Sequence, residues 1–131
     1  MEIKKHYACF SAAIRDGATI RPQGYGCFLD NGKSCAFGAG AEAVFGQANN
    51  NYDDVYLLYP YLQQEGGPCP ECGAGDGSYM ASILYHLNDT HKWTREAVAD
   101  WLEAEEGKLK AVPKIQETAS LKAGSNAQVT A

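Results

Sequence analysis

The residues best suited to chemistry lie in one short stretch. Cys69-Pro70-Glu71-Cys72-Gly73 sets two thiols two residues apart in a segment that proline and glycine shape into a tight turn. Two thiolates so placed can grip one metal ion while backbone amides point at the sulfurs. Thirteen residues then separate Cys72 from His86, and four separate His86 from His91. A tetrahedral zinc site of the two-Cys, two-His kind asks for C-x-x-C, a spacer of about 12–15 residues and a histidine pair three to five apart. The expectation is structural zinc on Cys69, Cys72, His86 and His91, with His6 and Cys9 as substitutes for one ligand. Four protein ligands leave no position for water or substrate, so such a site stabilises and does not catalyse. A redox use of the C-x-x-C is the competing reading, but redox motifs open a helix, whereas this one sits in a glycine-rich loop.

Other catalytic patterns are thin. There is no nucleophile elbow, no GxxxxGK[ST] and no HExxH, and Gly24-Tyr25-Gly26 is too short for a dinucleotide loop. A small Cys-dependent enzyme using Cys35 or Cys9 with a histidine is retained as an alternative.

The elements that must position these residues follow from patterning. Residues 7–16 carry an apolar face of Ala8, Phe10, Ala12, Ala13 and Ile14, predicting a helix that Gly17 stops. Asn31-Gly32 between two apolar runs predicts a β-hairpin pairing Asp30 with Lys33, Leu29 with Ser34, Phe28 with Cys35 and Cys27 with Ala36. Alternation sets Phe28, Cys35 and Phe37 on one face and Tyr25, Cys27, Leu29 and Ala36 on the other. Residues 39–48 predict a small-residue helix packed closely on the hairpin. The run from Asp53 to Gln64 reads as a short helix, with Asp53 as its cap, or as a strand, and Pro60 breaks either. Tyr52, Tyr56, Tyr59 and Tyr61 there make an aromatic interaction surface or a half-buried core edge with solvated hydroxyls.

Met80, Ile83, Leu84 and Leu87 recur at helical spacing, and His86 lies near the end of that helix. Thr94 caps a last helix, Trp93 staples onto Val98, and Ala97, Val98, Trp101 and Leu102 form its buried stripe. Glu96, Asp100, Glu103 and Glu106 form its acidic outer face, and Gly107 ends it. Residues 112–131 show no burial pattern and predict a flexible tail.

At 131 residues the chain is one domain, 1–111, with the knuckle and helical pair over 66–107. The net charge is −5, but it divides into −8 over residues 1–106 and +3 over 107–131. An acidic body disfavours nucleic acid, which calls for a basic footprint. A DNA-binding regulator using the helix-turn-helix-like pair 79–106 is the alternative, opposed by the acidic face beside Arg95. No apolar run is long enough to span a membrane. Five cysteines, an odd number, and the lack of a secretory h-region predict a cytoplasmic protein with reduced thiols.

The stretches GATIRPQGYGCFLDNGKSCAFGAGAEA and HLNDTHKWTREAVADWLE resemble small proteins encoded by bacteriophages and prophages, some with a CPxCG knuckle before the HLND segment. That likeness covers residues 8–106. It implies a phage or mobile-element origin, hence a host-cell cytoplasm, and no mechanism, since those proteins have no assigned activity. The two-Cys, two-His spacing also resembles zinc fingers, but the conventional aromatic-and-leucine pattern and basic helix are missing. The expected molecule is therefore an α+β domain, a hairpin with several short helices, a zinc knuckle and a helical pair. It acts through contacts with a protein partner, using Tyr56, Tyr59 and Tyr61 or Glu96, Asp100 and Glu103.

Overall fold

The computed structural model describes residues 2–26, 28–75 and 77–111. The order is α1 (Phe10–Gly17), β1 (Leu29–Asp30), β2 (Lys33–Ser34), α2 (Ala36–Phe45), α3 (Tyr52–Leu58), a 3-10 turn (Pro60–Gln63), α4 (Met80–Asp89) and α5 (Arg95–Ala111). It is an α+β fold in which the sheet is a single small antiparallel hairpin.

Helix α2 lies at the centre. All ten of its residues are buried, including both glycines and Glu42. A helix enclosed on every side needs small residues, because neighbouring backbones must approach it closely. A Cβ on Gly17 of α1 would stand 1.8 Å from the Ala39 carbonyl oxygen, and one on Gly40 would stand 2.4 Å from the Phe10 ring. The one charge inside it, Glu42, is neutralised by a two-pronged bond from Arg21, whose Nε and Nη2 lie 2.9 and 2.8 Å from the two carboxylate oxygens. Phe37 stacks on Tyr85 with centroids 5.2 Å apart and meets Phe10 and Phe28 at 5.3 and 5.1 Å, so it knits α2 to α4, α1 and the hairpin.

The hairpin register is as expected where it exists: Leu29 faces Ser34 and Asp30 faces Lys33, with Asn31 and Gly32 both at positive φ. It is shorter than the alternation implied. Cys35 donates its N–H to Phe28, but Ala36 and Phe37 open α2 and are not strand residues. The reason is capping. Cys35 Sγ accepts from Gly38 N at 3.3 Å, and buried Asn88 accepts from Ala36 N at 3.0 Å, so two amides of the first turn of α2 are satisfied there. The expected pairing of Cys27 lies outside the described residues, as does the tail 112–131.

Four other expectations change, the first being that α2 ends at Phe45, with Gly46 as its C-cap, and does not run to residue 48. Helix α1 starts at Phe10, not residue 7. Residues 52–58 are helical, with Asn51 at the N-cap and Asp53 within the first turn, and Pro60 ends the helix by opening the 3-10 turn. Gly107 does not stop α5, which continues to Ala111, because Leu109 packs on the core and Lys108 pairs with Glu105 at 2.7 Å. The Thr94 cap is present, its hydroxyl oxygen accepting from Ala97 N at 3.1 Å.

Among the described residues no helix is long and apolar enough to cross a membrane.

Candidate metal centre

Residues 64–75 and 77–79 belong to a loop whose base is pinned. Glu65 and Tyr79 form an antiparallel bridge, Gly66 N donates to Ser78, and Met80 N donates to Gln64. Within the loop, Cys69 N donates to the Ala74 carbonyl at 2.7 Å and Gly73 N to the Cys69 carbonyl at 2.9 Å. Gly73 takes φ 77°, the left-handed conformation that lets the chain double back after Cys72. The result is the expected knuckle, with Glu71 N pointing at Cys69 Sγ at 3.4 Å.

The other two donors come from the end of α4 and the turn after it. His86 sits in the last turn of α4, and His91 N folds back to the His86 carbonyl. Sequence expectation and structure meet here. One donor atom from each of Cys69, Cys72, His86 and His91 lies within 4.8 Å of all the others. Cys72 Sγ stands 3.4 Å from His86 Nε2, and His91 Nε2 stands 3.1 Å from the same nitrogen. A zinc tetrahedron with bonds of about 2.0–2.3 Å has edges of roughly 3.3–3.8 Å, so these two spacings are near those a bound ion would impose, and the four donors would draw together from within 4.8 Å. The C-terminal end of α4, negative in its dipole, also suits a cation. Cys69 is buried and Cys72 is exposed. Among the described residues this is the one group that could hold a metal ion, and it contains neither His6 nor Cys9.

Spacing did not reveal the role of Glu71, the residue inside the knuckle. Its Oε2 lies 3.1 Å from His91 Nδ1, and its Oε1 accepts from Trp93 Nε1. A proton on Nδ1 facing the carboxylate leaves the Nε2 lone pair of His91 directed at the cluster. The signal was present in the string CPEC, but a carboxylate partner for a histidine twenty residues away has no motif.

Several of the remaining candidate residues have a place in the fold. Tyr59 is buried and donates to the Tyr7 carbonyl at 2.8 Å. Tyr61 hydroxyl accepts from Phe10 N and donates to Glu106, and burial beside that carboxylate raises its pKa well above the usual range. Tyr56 packs half-buried against Phe37. The tyrosines are therefore a core edge, and the hydroxyls of Tyr59 and Tyr61 bond inward and are not solvated. Glu106, expected on the acidic outer face of α5, is buried, because three donors from Ser11 and Tyr61 meet it. Of the rest of that face, Asp100 and Glu103 each take Arg15 Nη2 at 2.7 Å, and Glu96 is exposed.

Arg95, the basic residue of the helix-turn-helix-like pair, is turned inward. Its guanidinium donates to the Arg21, Ala18 and Ser34 carbonyls and the Ser34 hydroxyl, and it is 6% exposed. It cannot read a DNA base from there. Cys35 is equally enclosed, at 1% exposure, with burial pushing its thiol up to about 11, the opposite of what a nucleophile needs.

Compared with known proteins, the chain matches no family model, no curated protein and no solved structure.

Proposed function

We propose that this is a small non-enzymatic protein, stapled by one structural zinc ion on Cys69, Cys72, His86 and His91, that works through contacts with a protein partner. The reading includes the phage or mobile-element origin that the resemblance of residues 8–106 implies. The observation that carries the zinc assignment is the convergence of the four donors within 4.8 Å. Two thiolates and two imidazoles are the donor set of a closed zinc site, and the glycine-rich loop around them has little apolar material with which to hold itself. Support for a protein partner is the exposure of large apolar side chains on a chain whose core is otherwise closed. Leu57 is 79% exposed, Tyr79 54% and Leu58 39%.

The test is zinc per chain, measured on untagged protein purified without chelator, for the parent and for His86→Ala and His91→Ala. One zinc per chain in the parent, held less tightly in either variant, is the expected result. No zinc in the parent, with Cys69 and Cys72 both open to thiol reagents, overturns the reading. Retention of the protein on a DNA column that falls steeply with salt would favour the DNA-binding alternative instead.

A further inference from the structure

We propose that Glu71 is a positioning residue for the metal, and that Trp93 acts through it. Together they hold His91 in the tautomer and orientation that the ion requires, and so set how long the ion stays. This inference rests on the zinc reading above and names the part of the chain that tunes that site.

Three observations carry it. First, one carboxylate spans two ring nitrogens: Glu71 Oε2 stands 3.1 Å from His91 Nδ1, while Oε1 accepts from Trp93 Nε1. A carboxylate held at both oxygens has little freedom to swing away, although Glu71 itself is 47% exposed. Second, the intervening backbone is built to bring both rings to it. Lys92 sits between His91 and Trp93 at φ 58°, a conformation rare for a residue with a Cβ. Trp93 is itself fixed, its backbone N–H donating to the Leu87 carbonyl at 3.0 Å and its carbonyl accepting from Gln23 Nε2 at 2.7 Å. Third, the imidazole nitrogen left over, His91 Nε2, is the one that faces His86 Nε2 and the cluster. Metal-binding histidines commonly present one nitrogen to the ion and give the other N–H to a carboxylate, which fixes the ring and raises its basicity. Glu71 adds an economy: the same four-residue turn supplies both thiols and the carboxylate that orients a ligand twenty residues away.

The competing explanation is an ordinary ion pair at the rim of the loop. The two differ in what the metal feels. With the full chain and zinc or cobalt as the probe, chelator competition should show Glu71→Ala binding about 10–100-fold more weakly than the parent. Glu71→Gln, which keeps an acceptor oxygen for His91, should recover part of that loss. The cobalt spectrum of both should remain that of a tetrahedral two-sulfur, two-nitrogen site, since no ligand is removed. In the zinc-loaded parent, nitrogen-resolved NMR should show the His91 Nδ1 proton protected from exchange, and Glu71→Ala should abolish that protection. Trp93→Phe should weaken binding when introduced alone and add nothing in the Glu71→Ala background.

A parent that binds metal, with Glu71→Ala binding equally tightly or its Nδ1 proton equally protected, overturns this inference and leaves the zinc reading standing. Full additivity of Trp93→Phe with Glu71→Ala removes Trp93 from the chain of action. A parent that binds neither zinc nor cobalt overturns both proposals.

Discussion

The Glu106 carboxylate closes the N-terminus of a helix that begins nearly a hundred residues before it. It accepts the Ser11 backbone N–H at 3.2 Å and the Ser11 hydroxyl at 2.6 Å, and the Tyr61 hydroxyl completes its shell. Cys9, at the N-cap of α1, makes no side-chain cap bond, so α5 supplies in space what the local sequence does not. An anion at a helix N-terminus is favoured by the dipole as well as by the free amides.

Glu106→Ala should therefore destabilise the fold by about 3 kcal/mol, since it leaves the Ser11 and Tyr61 donors buried without an acceptor. Glu106→Gln keeps the shape and should lose roughly half as much. Urea unfolding of the two variants measures this. An unchanged midpoint for Glu106→Ala would mean that water replaces the carboxylate at no cost.

Cys35 gives a prediction in pH. Its burial raises the thiol from 9.0 to about 11. The folded protein keeps the proton over a range in which the unfolded chain loses it. The stability linked to this thiol is thus fully present below about pH 9 and is lost as pH rises toward 11. Cys35→Ala should flatten the decline of the urea midpoint across that window. At pH 8, iodoacetamide should leave Cys35 unmodified in the folded protein and label it in urea. Rapid labelling of folded Cys35 would contradict the enclosed site and revive a nucleophilic role.

Two glycines should respond with opposite signs. Gly17→Ala drives a methyl into the Ala39 carbonyl, backbone against backbone, and should cost at least about 1–3 kcal/mol as α1 shifts off α2. Gly107→Ala meets nothing within 4 Å inside a continuing helix. It should stabilise by about 0.5–1 kcal/mol. Thermal melts of both variants test the α1–α2 contact and the run of α5 through residue 107 at once.

Metal removal should act through mass action. With free zinc at 100 times its dissociation constant, the folded state gains about 2.7 kcal/mol, so a chelator should lower the melting temperature and added zinc restore it. In His91→Ala the response should shrink. Limited proteolysis without metal should cut first within the described part of the knuckle loop, which then keeps its base bridge, a few turn bonds and the Glu71 contacts to His91 and Trp93.

Much of this molecule was legible because its signals are local. The four donors announce themselves through C-x-x-C and a histidine pair, and Asn31-Gly32 sets the hairpin register. The 3.6-residue recurrence of Met80, Ile83, Leu84 and Leu87 gives α4 its buried face. What was not legible depends on partners far along the chain. Asn88 decides that Ala36 starts a helix and does not continue a strand, from 52 residues away. Glu106 reads as a solvated helix face until Ser11 and Tyr61 are placed beside it. Arg95 reads as an outward cation until the Ala18, Arg21 and Ser34 carbonyls converge on it. Each is a polar residue whose burial is offset by donors or acceptors that periodicity cannot supply.

The enclosure of α2 sets a rhythm for the whole chain. With all ten of its residues inside, α2 has no side that solvent can reach by fraying or by the swing of one neighbour. Its amide hydrogens should therefore exchange with solvent mainly through global unfolding, since α1, α4, α5 and the hairpin all pack on it. The described residues of the knuckle loop, held by few backbone bonds, should exchange earlier once metal is absent. The protein would thus keep its clock in two places, a knuckle loop that opens locally and a central helix that records complete unfolding.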